Sequence, residues 1–453
     1  LATPVGTSAI ALLRVSGPLA AEIAQTLLAG GSPALLPRMA TRADYRDRNG
    51  ALLDDVLLTL FRAPASYTGE DVLEISCHGN PFIAQKILED LIARGCRHAE
   101  PGEFTQRAFL SGNMDLAQAE AVMDLIHARG ERALAAANQQ LRGALGRHMQ
   151  ALIDGLLAAL ARIEAYIDFP EEDLPPEDQA HVTREIGTLQ ASVAKLLQTN
   201  HYGSILREGL RVALLGEPNV GKSSLLNALL GRDRALVSPR PGTTRDYLEE
   251  PLLIGGYAFR LIDTAGLNEN PEEIESQGIE KSLTLAEEAD LLFFVVDASQ
   301  PQSPPLPALL TAELSPERAL LVANKCDLLA DEASRASSLY GLGEKLAALP
   351  RVAISALTEE GLDALRATLV ARAESFHVEH GPDLIAINAR HADALSRAKE
   401  GLAAALAQLR AAAPIELVSS ELRAVLDAFG EIAGRVDNER MLDQLFASFC
   451  IGK

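Results

Sequence analysis

The stretch Gly216-Glu217-Pro218-Asn219-Val220-Gly221-Lys222-Ser223 decides how the chain is read, because it matches the pattern G-x-x-x-x-G-K-[ST]. An apolar run of strand length, 211–215, precedes it, and residues with helical spacing follow. That context is what a phosphate-binding loop requires. Glycines let backbone N–H groups wrap phosphate oxygens, and the positive end of the helix dipole faces the same anion. In such a loop Lys222 reaches the β- and γ-phosphates and Ser223 binds Mg²⁺, with Val220, Gly221 and Ser224 completing the nucleotide contacts. Taken alone, the match is also what a glycine-containing turn produces by chance.

Strand-like and helix-like segments alternate outward from this loop, from 210 to about 373, with apolar runs at 259–262, 291–296, 319–322 and 352–354. Such alternation predicts a mostly parallel sheet with helices on both faces, an α/β domain. Three more motifs sit at the ends of these runs. Asp263-Thr264-Ala265-Gly266 offers a carboxylate that can hold Mg²⁺ through water and an N–H that can meet the γ-phosphate. Asn324-Lys325-Cys326-Asp327 offers a carboxylate, Asp327, that accepts from both N1–H and the 2-amino group of guanine. Adenine has neither donor in that arrangement and would leave the carboxylate unpaired. Lys325 can lay its stem along the base, and Ser355-Ala356-Leu357 can close over it. Each motif alone is equally a turn with a satisfied Asp or Asn. Together, in unpermuted order, they predict a GTPase domain over about 210–373.

The residue after Gly266 is Leu267, where Ras-type GTPases carry a Gln that orients the attacking water. Another group must do this, and the acidic segment 269–275 holds the candidates. The loop Gly242-Thr243-Thr244-Arg245-Asp246 carries a Thr suited to a second Mg²⁺ contact. Asn219 presents a neutral oxygen beside the phosphates, or simply caps the turn.

Around this domain the pattern differs. The first 115 residues read as α+β, with strands at 9–15, 56–61 and 72–76 and a helix at 81–94. Leu141, Leu145, Met149, Leu152, Leu156, Leu160, Ile163 and Ile167 recur every three or four residues, which predicts one long helix ending at Phe169-Pro170. A second helical stretch covers about 177–206, and the chain beyond about 382 is Ala/Leu-rich and helical. The simplest architecture inserts the α/β domain into one helical domain, with expected boundaries at 1–115, 116–208, 209–375 and 376–453.

Composition narrows the function. Of 453 residues 48% are hydrophobic and 23% charged, the mix of a core-forming globular protein. A net charge of −21 argues against gripping nucleic acid by phosphate neutralisation alone, while leaving room for a local basic site. No apolar run reaches the roughly 18 residues of a membrane helix. The four cysteines, Cys77, Cys96, Cys326 and Cys450, lie far apart without a CxxC pair, which speaks against a zinc site or disulfide framework and for a reducing cytoplasm. No secretory signal is read, and because the chain starts at Leu1 a few native residues are expected to precede it.

Asn219, the loop from Gly242 to Asp246, and Cys450-Ile451-Gly452-Lys453 together resemble the MnmE (TrmE) family of tRNA-modification GTPases. The resemblance extends over the whole chain. Thr3-Pro4 with Arg14-Val15-Ser16-Gly17 resembles that family's N-terminal half. So do Tyr67-Thr68-Gly69-Glu70-Asp71, Pro101-Gly102-Glu103-Phe104 with Arg107-Ala108-Phe109, and Asp115-Leu116-Ala117-Gln118-Ala119-Glu120. The resemblance implies an N-terminal α+β domain that binds folate and forms a homodimer, then a helical domain carrying an inserted Ras-like P-loop GTPase domain. It implies GTP, Mg²⁺, K⁺ and a reduced folate (5-formyl- or methylene-tetrahydrofolate) as cofactors. With the flavoprotein MnmG and tRNA as partners, the product is a carboxymethylaminomethyl-type group on C5 of the wobble uridine, and no membrane is involved.

Residue by residue, the resemblance makes Asn219, the carbonyls of Ser238 and Arg240, and Thr243 the potassium shell, and Thr244 the second Mg²⁺ ligand. It makes Glu275 the residue that positions water, and Arg14, Glu74 and Lys453 folate contacts, with Cys450 acting in the tRNA reaction. One position departs: Asn113 stands where many members carry Lys ahead of Asp115-Leu116, so a cationic contact to the folate tail is absent or supplied elsewhere. Structural readings remain beside these. Arg14 and Glu74 can be an ion pair, and Cys450, beside Leu445, Phe446 and Phe449, can be core. The competing function is a GTP-dependent RNA- or ribosome-binding switch without modification activity. Such a protein is expected to append a basic RNA-binding domain or a second G domain, and neither is read here. A scaffold with a vestigial GTPase conflicts with the intact motifs.

Overall fold

The structure is a computed structural model that describes residues 1–28, 35–168, 176–233, 249–263, 288–300, 315–329, 348–375 and 385–434. The elements in the first part of the chain are β1 (Ile10–Ser16), α1 (Ala20–Leu27), β2 (Thr41–Arg46), β3 (Leu52–Phe61), β4 (Val72–His78) and α2 (Pro81–Ala93). Five helices follow: α3 (Glu103–Leu110), α4 (Leu116–His127), α5 (Glu131–Leu141), α6 (Ala144–Asp168) and α7 (Pro176–Glu208). Next come β5 (Leu210–Leu215), α8 (Lys222–Asp233), β6 (Glu249–Ile254), β7 (Tyr257–Asp263), β8 (Leu291–Asp297), β9 (Ala319–Asn324) and β10 (Arg351–Ala353). The last helices are α9 (Leu362–Ser375), α10 (Ala389–Arg410) and α11 (Ile415–Ala433). The chain divides into two compact units. The first takes the described residues of Leu1–Met123, Gln140–Gln190 and Ala394–Lys453, and the second those of Asp124–Gln139 and Ala191–Asp393.

In the first unit an antiparallel sheet of order β1-β4-β3-β2 buries one face under α1 and α2. Leu13, Leu58 and Ile75 point into that core and meet Ile23 and Ile87. Asn80 caps α2 by accepting from the Phe82 N–H at 2.9 Å, with Pro81 at the first helical position, where no N–H is needed. Strand β2 escapes a reading by hydrophobic alternation because only Ala43 and Tyr45 point inward. Tyr45 is fully buried and its hydroxyl donates to Asp90 at 2.9 Å. Burial and the Asp90 carboxylate together push the Tyr45 hydroxyl pKa upward.

The same unit packs α6 against α11. Leu145, Met149, Leu152, Leu156, Leu160 and Ile163 are buried on α6, and Val418, Leu422, Val425, Phe429 and Ile432 on α11. The apolar stripe is not one helix back to Leu141. Helix α5 ends at Leu141, and Gly143 takes a left-handed φ of 78° before α6 begins. The Gly143 N–H returns to the Gln140 carbonyl at 2.7 Å, and Gln118 Nε2 donates to the Leu141 carbonyl at 2.9 Å. A glycine with positive φ just past a helix end satisfies the last carbonyls and stops the helix, although the apolar spacing runs on.

The second unit is built on a six-stranded sheet of order β10-β9-β8-β5-β7-β6. All neighbours are parallel except β6, which pairs antiparallel with β7 across a two-residue turn at Gly255-Gly256. The reading of a mostly parallel sheet holds, and β6 is the antiparallel edge it did not contain, since its opening Glu249-Glu250-Pro251 carries no strand signal. Strand β5 feeds both faces: Val212 and Leu214 enter one core, Ala213 and Leu215 the other. Arg132 of α5 lies over the Tyr257 ring at 5.5 Å. The returning chain is fastened to α7, where Thr199 Oγ1 donates to the Ile385 carbonyl at 2.8 Å and Arg207 Nη2 to the Ile387 carbonyl at 2.7 Å.

Candidate functional site

Strand β5 has β7 on one side and β8 on the other, so the loop leaving its C-terminal end opens where the strand order reverses, the position at which open α/β sheets bind ligands. Gly216 to Gly221 form this loop, and α8 starts at Lys222. Asn219 sits exposed on its crest with φ 67°. Gly221, at φ 97°, leaves no room for a side chain: a Cβ there would collide with Nδ2 of Asn324. Lys222 is buried, and its Nζ donates to the carbonyl oxygens of Gly216 and Glu217, both at 2.8 Å. Val220 is buried beneath the loop, while Ser223 and Ser224 are exposed in the first turn of α8. A preformed backbone cradle, an ammonium at its centre and a helix N-terminus behind it are the donor set that a nucleotide polyphosphate needs.

The guanine motif abuts this loop. Asn324, at 2% exposure, donates from Nδ2 to the Val220 carbonyl at 2.9 Å and accepts on Oδ1 from the Ala356 N–H at 3.0 Å. One amide therefore joins the phosphate loop, the end of β9 and the Ser355–Leu357 segment. Lys325 follows with a left-handed φ of 65°, and Asp327 lies half-buried in the short 3-10 turn Cys326–Leu328. The Cys326 N–H donates to the Ile354 carbonyl at 3.1 Å, binding this turn to the end of β10. Ser355 is buried and its Oγ accepts from the Thr358 N–H at 3.1 Å, whereas Leu357 is 85% exposed. Asp263 ends β7 opposite Leu214 of β5, so its backbone stands beside the strand that carries the phosphate loop. Ser238, Arg240, Thr243, Thr244, Thr264, Ala265, Gly266 and Glu275, and likewise Cys450 and Lys453, lie outside the described residues.

Asp297, which motif reading passed over, contacts one of the motif residues. It ends β8, and its Oδ2 accepts from Lys325 Nζ at 2.6 Å. Its Oδ1 accepts from the N–H of Ser299 at 2.9 Å and from its hydroxyl at 2.6 Å. Burial opposes ionisation of this carboxyl, yet the Lys325 ammonium and the Ser299 donors hold it below the usual carboxylate range. The available signal was one acidic residue closing the otherwise apolar run Leu291–Asp297.

In the first unit, Arg14 and Glu74 are direct cross-strand partners on β1 and β4, joined by Nε and Nη2 to Oε1, both at 2.8 Å. They are about a quarter exposed, at 23% and 24%, and lie on the sheet face away from Leu13 and Ile75. Asn113 donates to the carbonyls of Ser66 and Tyr67, each at 3.2 Å, and so fastens that loop without supplying a charge. Nearby, Glu103 accepts from Arg97 Nη1 at 2.8 Å and Arg107 Nη2 at 2.6 Å, and Arg107 also reaches Glu70 at 2.7 Å. Burial works against the Glu103 charge, but the two guanidinium groups and the Glu100 N–H bring its pKa down to about 2. No described helix is long and apolar enough to cross a membrane, and among the described residues no group of three or more His, Cys, Asp or Glu side chains is placed to hold a metal ion.

Comparison with known proteins covers the chain almost end to end. Residues 1–113 match the family model of the GTP-binding protein TrmE N-terminus, and residues 116–450 that of the MnmE helical domain. A tRNA modification GTPase MnmE from Opitutus terrae is 53% identical over all of this chain and 98% of its own length. Proteins of the same name from Akkermansia muciniphila and Chlorobium chlorochromatii are 45% and 40% identical, over all of this chain and 98% and 97% of theirs.

Proposed function

The chain belongs to the MnmE family of tRNA modification GTPases, and from that membership we propose how its parts share the work. It is a GTPase, and GTP and Mg²⁺ come with the family. In our reading, residues 209–375 form the G domain, inserted between helical parts 116–208 and 376–453, and residues 1–115 bind a reduced folate and form a homodimer. With the flavoprotein MnmG, in the cytoplasm, the protein adds a carboxymethylaminomethyl-type group to C5 of the wobble uridine of tRNA. The observation that carries the nucleotide half of this reading is the Asn324 amide, which binds the phosphate loop to the guanine-reading turn.

The chain's own groups do the following. Lys222 leaves the Gly216 and Glu217 carbonyls for the phosphate oxygens, and the N–H groups of the loop and of α8 take the remaining charge. Asp327 accepts from guanine. Ser223 and Thr244 would hold Mg²⁺, which would supply positive charge for the phosphates. Asn219, the carbonyls of Ser238 and Arg240, and Thr243 would hold K⁺, which would supply a positive charge beside the phosphates. Glu275 orients water, because Leu267 has no polar atom with which to do so. Arg14, Glu74 and Lys453 would hold the folate, which would supply the one-carbon unit. Cys450 acts in the tRNA step.

The test is complementation of cells lacking this protein. The intact chain restores the wobble-uridine modification, while Cys450→Ser keeps GTP hydrolysis and leaves the uridine unmodified. If the intact chain hydrolyses GTP but leaves the modification unrestored, the RNA- or ribosome-binding switch takes its place. Loss of both activities in Cys450→Ser assigns that thiol to the core.

A further inference from the structure

We infer that Asp297 is a positioning residue for guanine recognition, holding the Lys325 side chain where its stem lies along the base. This rests on the guanine-site reading above. Asp297 and Asn324 are register partners on the adjacent parallel strands β8 and β9, so Lys325 begins one residue beyond the point that faces the carboxylate. The two elements of the contact differ in freedom. The Asp297 side chain is only 9% exposed, and one of its oxygens is already fixed by both donors of Ser299. Lys325 is 33% exposed and has a four-carbon stem with many rotamers. A rigid anion therefore orients a flexible cation, through a charge-assisted bond of 2.6 Å.

Two consequences for the nucleotide follow. First, the ordering of the Lys325 stem is completed before the base arrives, so binding does not have to supply it. Second, the Lys325 ammonium already has an anionic partner and is not drawn to the phosphates, which leaves that role to Lys222. Asp297 touches neither base nor phosphate in this scheme and acts through Lys325 alone. A plain structural ion pair would look the same in a static picture but would behave differently in a thermodynamic cycle.

The experiment measures the affinity of the full chain for a fluorescent guanosine diphosphate in four forms: unchanged, Asp297→Asn, Lys325→Ala, and both together. Asp297→Asn is expected to weaken binding about three- to tenfold, the scale of leaving one rotamer-rich side chain unordered. The double variant is expected to bind no more weakly than Lys325→Ala, because the carboxylate has nothing left to position. Should Asp297→Asn not fold, Ser299→Ala loosens the same carboxylate and is expected to weaken binding by a smaller factor that also vanishes with Lys325→Ala. Unchanged affinity in Asp297→Asn overturns the inference while the guanine site stands. An equal loss in both backgrounds also overturns it and makes Asp297 a fold residue. Failure of the unchanged chain to bind the nucleotide removes the guanine-site reading and the inference with it.

Discussion

The Asn324 side-chain amide and the Val220 carbonyl, 104 residues apart in the chain, meet at 2.9 Å. The bond ties the loop Gly216–Gly221 to the end of β9, and the other end of the same amide holds the Ala356 N–H. Asn324→Ala leaves the buried Val220 carbonyl without this partner, at a cost of about 1–3 kcal/mol, and removes the partner of the half-buried Ala356 N–H at a smaller cost. The expected outcome is a lower melting temperature together with weaker guanine nucleotide binding, read by thermal shift and fluorescence titration. Weaker binding at an unchanged melting temperature would show that the loops are held by other contacts.

Asp327→Asn exchanges an acceptor pair for an amide that can donate to a 2-oxo group. Preference should therefore move from GTP toward xanthosine triphosphate. Competition between the two nucleotides against a fluorescent probe measures the change, and retained GTP selectivity removes Asp327 from base reading.

The Glu103 carboxyl has a folded pKa of about 2 against an ordinary value of 4.5. A depressed pKa means that the unfolded chain binds the proton more readily. The contribution is fully present above pH 4.5 and is lost as pH falls from there toward 2, at most about 3 kcal/mol by linkage. Glu103→Gln is expected to lower stability at neutral pH, where Arg97 and Arg107 lose their shared anion, and to flatten the acid side of the profile. Thermal unfolding followed between pH 2 and 7 tests both halves, and superposable profiles for the two forms would show that the network adds nothing.

Hydrolysis is expected to be fast in KCl and slow in NaCl. A monovalent cation held by Asn219 and the 238–243 carbonyls would do the work of an arginine finger, so its loss should lower turnover on the order of 10³-fold. Asn219→Ala should respond to neither salt. Glu275→Ala should lose turnover while keeping nucleotide affinity, since its role begins only when water attacks. Equal steady-state rates in the two salts would sink the cage, and an active Glu275→Ala would move water positioning to another residue.

Motifs confined to a few consecutive residues were legible without coordinates, because their chemistry is local. Gly216–Ser223, Asn324–Asp327 and Ser355–Leu357 state their backbone needs in their own residue types, and the structure brings all three to one end of the sheet. Asp297 was not legible, because its link to Lys325 exists only through the lateral pairing of β8 with β9. The Arg14–Glu74 ion pair, 60 residues apart, was read as one of two possibilities and is present, but the cross-strand register that makes it was not legible until the strands were paired. Strand β2 hid behind its polar residues, and the break before α6 hid behind an apolar spacing that Gly143 interrupts without altering.

The pairing of α6 with α11 sets an order of events at the ribosome. Nearly all of the second unit is encoded between these two helices, so the apolar face running from Leu145 to Ile163 emerges long before Val418 to Ile432 exist to cover it. The intervening segment has no such wait. Its sheet is complete by β10, and its two chain ends are stapled by Thr199 to Ile385 and Arg207 to Ile387. Domains fold as units while synthesis proceeds. The inserted unit is thus expected to fold first, and the helical pair that brackets it last. Until then α7 lies against α6 at Gly155 and Arg162, but the part of the apolar face that α11 covers stays open, a natural client surface for a chaperone.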